Sequence, residues 1–335
     1  MKRVLLAAML VVPALAQSDE ASDFWATMKK AERLSDRKQA LEVLKAARLH
    51  YPGREFETTQ EMASVYAGLG QYEKSMEIWR AGHEKGLFYG LFPQFDYLKP
   101  FLNLPQFQAL AARDRELREQ AERTATMRYE IVKPAGYSPD RKYPLFLELH
   151  AGNDSIDHAR WYWTSPVLRE RYLVAFIQSS RQMSSKSYGW RVNDPEMRAG
   201  LKKIYDEIIA RYPVDKNRVL IGGMSAGAMM SLDVVLHNVL PATGYIVNCP
   251  LVPPDFEPAM AEQMRQRGVR GVIFTGEKDF GRAALEEKLP AFTKAGLKYR
   301  FTVVAGIGHE IPDDFPSRLD AALAEVDAGE AARRD

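Results

Sequence analysis

The chain has 335 residues, 46% of them hydrophobic, and a formal net charge of +2. A chain of this length can bury one large core or two smaller ones. Its basic and acidic residues nearly balance, which argues against a dedicated nucleic-acid-binding protein. Cys249 is the only cysteine, so no intrachain disulfide can form, and we expect a buried thiol in an apolar strand.

The first 16 residues have the pattern of a secretory signal peptide. Lys2 and Arg3 precede an apolar run of about a dozen residues, which is too short to span a bilayer. Ala14, Leu15 and Ala16 follow as a candidate cleavage site. The sequence therefore predicts an exported protein, periplasmic or secreted, that is cleaved near Ala16 and has no membrane span in the mature chain.

Residues 17–122 show helical periodicity and an internal correspondence. Three pairs of packing positions recur at a spacing of 35 residues: Ala40 and Ser75, Leu44 and Trp79, and Ala47 and Gly82. Because this offset is close to the tetratricopeptide length of about 34, the segment resembles roughly two such repeats. Two interpretations stay open: a surface for a protein partner or self-association, and a helical cap docked on the following domain. With so few repeats we favour the cap.

From residue 123 to residue 335 the pattern changes to alternating strands and helices. Seven largely apolar runs are typical of strands buried in a mostly parallel sheet. They span residues 127–134, 143–150, 172–179, 218–223, 243–250, 269–276 and 299–306. Helical stretches separate several of them, notably at 194–212 and 225–237. The sequence therefore predicts an α/β domain with crossover helices, preceded by a small all-α domain.

The segment GGMSAG, residues 222–227, is the strongest candidate for a catalytic motif. A nucleophile elbow needs a strand, a tight turn with the nucleophile at its tip, and then a helix, and this segment has that context. Gly223 and Gly227 would allow strand and helix to approach closely. The N-terminus of the helix would stabilise negative charge beside Ser225. These features favour Ser225 as a nucleophile over a serine in an ordinary glycine-rich loop.

A serine nucleophile requires a base, and the base requires an acid to orient it. His309 follows the last predicted strand, which is the position expected for the base. Asp279 and Glu277 both follow the strand at 269–276 and are alternative acids. We favour Asp279, because Gly276 begins the turn and places this carboxylate beyond the strand tip.

Acyl transfer also requires two donors aimed at the developing oxyanion. We expect one to be the backbone N–H of Ala226, directly after the nucleophile. The second would come from the loop after the strand at 143–150, where Gly152 lacks a side chain and fits best. His150 in the same loop is interpreted as a structural brace.

These motifs resemble those of the α/β-hydrolase family. The segment LHAGND, residues 149–154, is similar to a loop of the phospholipase/carboxylesterase group. The segment YPVDKNRVLIGGMSAGAMMS, residues 212–231, is similar to the elbow region of secreted polyhydroxybutyrate-depolymerase-like and feruloyl esterases. The resemblance covers residues 128–326 and departs from the family pattern at Ala151 and Asn153.

The resemblance implies a triad of Ser225, Asp279 and His309, and an oxyanion hole formed by Gly152 and Ala226. An aromatic segment follows the Gly152 loop and contains Trp161, Trp163 and Trp190. These three rings could line a substrate pocket beside Ser225, or they could pack under the helical segment. The sequence leaves the two interpretations even.

Together these patterns predict an exported serine hydrolase that cleaves a small-molecule carboxylic ester through an acyl-enzyme intermediate. The sequence has no metal-ligand cluster and no phosphate-cradling loop, so we expect neither a metal nor another cofactor. One alternative is a peptidase of the prolyl-oligopeptidase type, although no β-propeller-like segment precedes the domain. Another is a non-catalytic binding or scaffold protein that uses the helical repeats.

Overall fold

The computed structural model describes residues 19–331, and the predicted signal peptide lies outside them. The N-terminal part of the described chain is helical. Its α-helices are α1 (Asp19–Arg33), α2 (Arg37–His50), α3 (Glu55–Gly68), α4 (Tyr72–Glu84) and α5 (Pro105–Glu122), with short 3-10 helices at Pro52–Arg54 and Asp96–Phe101. Helix α2 begins where the Asp36 carboxylate accepts the Lys38 N–H at 2.8 Å, which satisfies a donor that the helix leaves open.

The positions that correspond in sequence are buried at matching places in α2 and α4. They are Ala40, Leu44 and Ala47 in α2, and Ser75, Trp79 and Gly82 in α4. At Gly82 a Cβ atom would lie 2.2 Å from the Tyr89 hydroxyl oxygen, so only glycine fits there. The assignment of these helices to tetratricopeptide repeats stays a prediction.

The remainder of the described chain forms a sheet with helices on both faces. Its first elements are β1 (Arg128–Val132), β2 (Tyr143–Leu149), α6 (Ile156–Tyr162), α7 (Pro166–Arg171), β3 (Leu173–Gln178), β4 (Arg181–Gln182), β5 (Tyr188–Gly189) and α8 (Pro195–Arg211). Then follow β6 (Val214–Met224), α9 (Ala226–Leu236), β7 (Gly244–Asn248), α10 (Pro258–Gln266), β8 (Arg270–Gly276), α11 (Arg282–Lys294), β9 (Lys298–Val304) and α12 (Phe315–Ala331).

The main sheet has seven strands in the order β1-β3-β2-β6-β7-β8-β9. The pairing of β1 with β3 is antiparallel and every other pairing in this sheet is parallel. Strands β4 and β5 form a separate short hairpin. The predicted α/β class with a mostly parallel sheet is therefore confirmed, and each predicted apolar run overlaps one strand of the main sheet.

Side chains of the central strands alternate between two apolar layers. Leu145, Leu147 and Leu149 of β2 join the cluster that contains α8 and α9, whereas Phe146 joins the cluster that contains α6 and α12. Because the parallel strands run in one direction, their carboxyl ends meet at one edge of the sheet. The loops that carry Gly152, Ser225 and His309 all begin at that edge.

Within residues 19–331, no helix has both the length and the apolar character needed to cross a bilayer.

Candidate active site

Ser225 lies in a tight turn between β6 and α9, with φ 54° and ψ −116°. A positive φ is unusual for a residue with a side chain, and such backbone persists only where the surroundings enforce it. Here the Ser225 N–H donates to the Asn248 carbonyl at 2.9 Å, which ties the turn to the end of β7. The turn holds the hydroxyl at the carboxyl edge of the sheet.

The glycines around Ser225 are required by close backbone contacts. A Cβ atom at Gly223 would lie 2.3 Å from the Leu149 carbonyl oxygen. At Gly227 it would lie 2.0 Å from the same oxygen and 2.4 Å from that of His150. Strand β2 thus passes directly beneath the turn, and only residues without side chains leave it room.

His309 lies between β9 and α12, and its imidazole joins two functional groups. Its Nε2 atom is 2.8 Å from the Ser225 hydroxyl oxygen. Its Nδ1 atom is 3.1 Å from each carboxylate oxygen of Asp279. With the proton assigned to Nδ1, the ring donates to Asp279 and accepts the hydroxyl proton of Ser225 at Nε2. The structure thus brings together all three residues of the predicted triad.

Asp279 follows β8 and is almost fully buried. Burial alone would raise the pKa of its carboxyl, but hydrogen bonds outweigh burial and hold the pKa below its ordinary value. The donors are the Gly281 N–H at 2.7 Å, the Thr275 hydroxyl at 3.2 Å and His309, and the neighbouring Cys249 thiol also lowers the pKa. The carboxylate therefore stays ionised and can stabilise a charged imidazole.

Glu277, the alternative acid, has a different partner. Its carboxylate accepts the Gly306 N–H at 2.8 Å and so supports the loop that leads to His309. Of the two acids, the structure brings Asp279 and not Glu277 to the imidazole.

The two predicted oxyanion donors are neighbours. A Cβ atom at Gly152 would lie 3.2 Å from that of Ala226. Ala226 is the first residue of α9, so its N–H is one of the four that a helix leaves without an intrahelical acceptor. Asn153 has φ 57°, which turns the chain sharply just after Gly152.

His150 stabilises this loop through hydrogen bonds. Its buried Nε2 atom accepts the Ser179 N–H at 3.2 Å, and its Nδ1–H donates to the Ala151 carbonyl at 2.7 Å. Burial lowers the pKa of the imidazole. His150 is therefore held as a neutral structural group in the loop.

The three tryptophans occupy different positions, and of the two interpretations left open, a ring that lines a substrate pocket does not fit Trp163. Its ring is 1% exposed and packs in the core against Phe146 and Phe315. Trp190 is also buried, and its Nε1–H donates to the His150 carbonyl at 2.7 Å, so it braces the Gly152 loop. Trp161 packs under the helical part, with the Lys29 Nζ atom 5.7 Å from its ring.

Two residues beside His309 were not predicted from the sequence as site residues. Phe280 is 76% exposed, with its ring centroid 4.5 Å from that of His309. An exposed aromatic at this position can contact a bound substrate. The feature of the sequence that could have indicated Phe280 is its position directly after Asp279. The buried Cys249 thiol lies beside Asp279, and burial together with this carboxylate raises the pKa of the thiol.

Two groups of metal-ligand type occur within residues 19–331. They are Cys249, Asp279 and His309, and Asp233, His237 and Asp255. The first group coincides with the candidate site, where the imidazole already contacts Ser225. In the second, Asp233 pairs with Arg198 at 2.6 Å. Contacts within the chain therefore account for both groups.

No protein-family model matches the chain, and no curated protein matches it in sequence. Among solved structures, an uncharacterized protein from Bacillus cereus is 22% identical with a TM-score of 0.53, over 94% of this chain and 100% of that one. A putative dipeptidyl aminopeptidase IV from Bacteroides ovatus is 15% identical with a TM-score of 0.50, over 61% of this chain and 34% of that one. Esterase PE8 is 20% identical with a TM-score of 0.45, over 60% of this chain and 99% of that one.

The strand order and strand directions of the main sheet agree with the likeness to the first two solved structures. The chain has the α/β-hydrolase fold. The match to the Bacillus cereus protein extends over nearly the whole of both chains, so it includes helices that precede the sheet. The match to the Bacteroides ovatus protein spans about a third of that longer chain. Open α/β sheets generally bind ligands at the edge formed by the carboxyl ends of their strands, and the candidate site of this chain lies at that edge.

Proposed function

We propose that this chain is a serine hydrolase that cleaves carboxylic esters, with Ser225 as nucleophile, His309 as base and Asp279 as the orienting acid. The observation that carries the proposal is the continuous hydrogen-bonded path from the Ser225 hydroxyl through His309 to Asp279, at 2.8 and 3.1 Å. A hydroxyl alone is a weak nucleophile, and this path supplies the base that it needs.

In the proposed reaction, Ser225 Oγ attacks the ester carbonyl carbon while His309 Nε2 takes the hydroxyl proton. The carbonyl π electrons move onto the oxygen, where the N–H groups of Gly152 and Ala226 would stabilise the charge. When this intermediate collapses, the alcohol leaves with the proton from His309. Water then attacks the carbonyl carbon of the acyl-enzyme and passes a proton to His309. The bond from this carbon to Ser225 Oγ breaks, His309 returns the proton to Oγ, and the carboxylic acid leaves.

A fluorophosphonate probe tests the nucleophile, because it reacts covalently with activated serines. We expect wild-type protein to be labelled once per chain, and Ser225→Ala not to be labelled. Ser317→Ala, which changes an exposed serine elsewhere in the chain, serves as the matched control and should label normally. Labelling that persists in Ser225→Ala would overturn the assignment. A wild type that does not label would favour a non-catalytic binding protein.

Ester specificity is tested with p-nitrophenyl esters, feruloyl esters and peptide amides on the purified protein. We expect ester cleavage to exceed amide cleavage, because an alcohol is a better leaving group than an amine. The likeness to a protein described as a putative dipeptidyl aminopeptidase IV motivates the amide arm. Faster amide cleavage would replace the esterase proposal with a peptidase of the prolyl-oligopeptidase type.

We also propose that the protein is exported and cleaved near Ala16, on the strength of the sequence pattern in residues 1–16. N-terminal sequencing of protein recovered outside the cytoplasm should begin near Gln17. A protein that retains Met1 in that fraction would contradict the cleavage.

A further inference from the structure

The segment that carries His309 is an irregular connection between β9 and α12, residues 305–314. On its inner side, the Asn248 side-chain amide donates to the Glu310 carbonyl at 3.1 Å. That contact fixes the backbone just after His309. The side chains of Glu310 and Asp313 lie on the other side of the segment, where they meet the helical part of the chain.

Two cationic side chains of helix α1, Lys29 and Arg33, contact this outer side of the segment. Arg33 donates through Nη1 to both carboxylate oxygens of Asp313, at 3.0 and 2.9 Å, and through Nη2 to Glu310 at 3.0 Å. The Lys29 Nζ atom lies 2.9 Å from Asp313. Lys29 and Arg33 are four residues apart, so they share one face of α1. One guanidinium therefore bridges two acids that follow His309 within four residues.

Helix α1 is fixed to the rest of the helical part and to the sheet part, so it can act as an anchor. Phe24 is fully buried against other side chains of the helical part. The Trp25 ring centroid lies 4.4 Å from that of His158 in α6. Nearby, Arg54 forms an ion pair with Asp157, also in α6.

We propose that Lys29 and Arg33 are positioning residues that hold the 305–314 segment so that His309 stays within reach of Ser225. This inference rests on the proposed function of Ser225 and His309. Exposed ion pairs contribute little to global stability. A misplacement of about 1 Å at a catalytic group can lower the rate about a hundredfold. The contacts of α1 should therefore affect activity more than stability.

The Asp313 carboxylate keeps its charge over the pH range of ordinary assays. Hydrogen bonds from Arg33 and then from Lys29 lower the pKa of Asp313 to about 2. Acidification is therefore a poor way to weaken the contact, whereas salt should weaken it. The Debye length falls from about 10 Å at 0.1 M to about 3 Å at 1 M ionic strength, and the ion pairs are partly exposed.

The experiment compares wild type, the double variant Lys29→Ala/Arg33→Ala, and Lys30→Ala. Lys30 is exposed on the same turn of α1 and has no ion-pair partner within residues 19–331, so it is the matched control. A neutral fluorophosphonate probe reports the reactivity of Ser225, and hydrogen exchange reports the mobility of the 305–314 segment. We expect the double variant to label about tenfold more slowly, within the range that small misplacements produce. Its segment should exchange faster, while its melting temperature stays close to that of wild type.

Salt and the charge of residue 33 distinguish positioning from general damage. High salt should slow labelling of wild type and leave the double variant unchanged. Arg33→Asp alone should label slowly, because it places an acid beside Glu310 and Asp313, whereas Arg33→Lys keeps the cation and should retain most of the rate. Unchanged labelling and exchange in the double variant would overturn the inference, as would equal losses in Arg33→Asp and Arg33→Lys. If wild type does not label, the proposed function fails, and the exchange data still decide whether α1 holds the segment.

Discussion

Gly227 shows at the scale of one residue how strand β2 shapes the turn at Ser225. Its Cα faces the Leu149 carbonyl so closely that an added methyl group would lie 2.0 Å from that oxygen. The obstacle is the backbone at the end of β2, an interior strand of the sheet, so it cannot rotate away as a side chain could. The glycine is thus a condition for the strained backbone of Ser225.

We therefore expect Gly227→Ala to destabilise the protein by about 1–3 kcal/mol or more, the cost of forcing an atom into a packed site. It should also abolish probe labelling, because relief of the clash must move the turn. Urea unfolding and labelling measure the two effects. The control is Gly68→Ala at the end of α3, where nothing lies within 4 Å and stability should be unchanged or slightly higher. A Gly227→Ala protein of normal stability and reactivity would contradict this account.

The acid assignment can be tested by matched amide substitutions. Asp279→Asn should lower kcat about 10³- to 10⁴-fold, because an amide cannot stabilise the charged imidazole and favours the wrong tautomer. Glu277→Gln should retain most of the activity, since a side-chain amide oxygen can still accept the Gly306 N–H. Steady-state kinetics on one ester substrate decide between them. The reverse order of effects would make Glu277 the acid.

At the scale of elements, Trp190 and Trp163 can be compared through one substitution, phenylalanine, which reduces the side-chain volume equally at both positions. The Trp190 Nε1–H supports the His150 carbonyl in the loop that follows β2. The buried Trp163 Nε1 atom has no hydrogen-bond partner within the described residues. Phenylalanine in either place removes one ring and one N–H, but only at Trp190 does it leave a carbonyl of the Gly152 loop without its donor.

Trp190→Phe should accordingly lower kcat by about 10- to 100-fold, the cost of a loosely held oxyanion donor, with little change in KM. Trp163→Phe should affect stability only, through the cavity that it leaves. Kinetics and urea unfolding of both variants provide the comparison. Equal losses of kcat in the two variants would show that Trp190 has no special role in the loop.

The strands and the order of the site residues were predictable from the sequence because they depend on local patterns. Apolar runs mark strands buried on both faces, and glycines beside Ser225 mark a tight turn. The positions of the tryptophans were not predictable in this way. Trp163 lies close to Trp161 in sequence, yet one ring is in the core and the other is under α1. Which side of a short helix faces the core depends on tertiary packing.

The contact between α1 and the His309 segment lay further beyond sequence reasoning. Lys29 and Asp313 are 284 residues apart, and neither carries a motif. Charged side chains on a helix usually face solvent, so a sequence gives no reason to pair these two. Docking of a helical part on a sheet part depends on the shapes of both, which local periodicity does not describe.

At the scale of the whole molecule, Glu148 makes stability depend on pH. It is fully buried in central strand β2, and neither carboxylate oxygen has a hydrogen-bond partner within the described residues. Burial, and then the nearby Asp154, raise the pKa of Glu148 well above its ordinary value. In the unfolded chain a glutamate ionises near pH 4.3, so above that pH the folded state binds more protons than the unfolded state. The free energy of unfolding therefore falls as pH rises from that point towards the raised pKa.

Glu148→Gln removes this titration, so we expect the variant to gain stability relative to wild type as pH increases from 4 to 8. Urea midpoints at several pH values measure the difference. Glu119→Gln, at an exposed position on α5, is the control and should show no such trend. A difference between Glu148→Gln and wild type that does not change with pH would mean that Glu148 ionises freely in the folded protein.

The large sequence separation of Lys29 and Asp313 also has a consequence for the protein during its synthesis. Helix α1 is translated before the sheet part, and its partner Asp313 is translated 284 residues later than Lys29. At about 5–20 residues per second, the interval is roughly 15 to 60 s. During that time Lys29 and Arg33 have no acidic partner in the 305–314 segment, and Ser225 emerges before His309 exists. Chains that stop before His309 should therefore be inert, and reactivity should appear only once the 305–314 segment has reached α1.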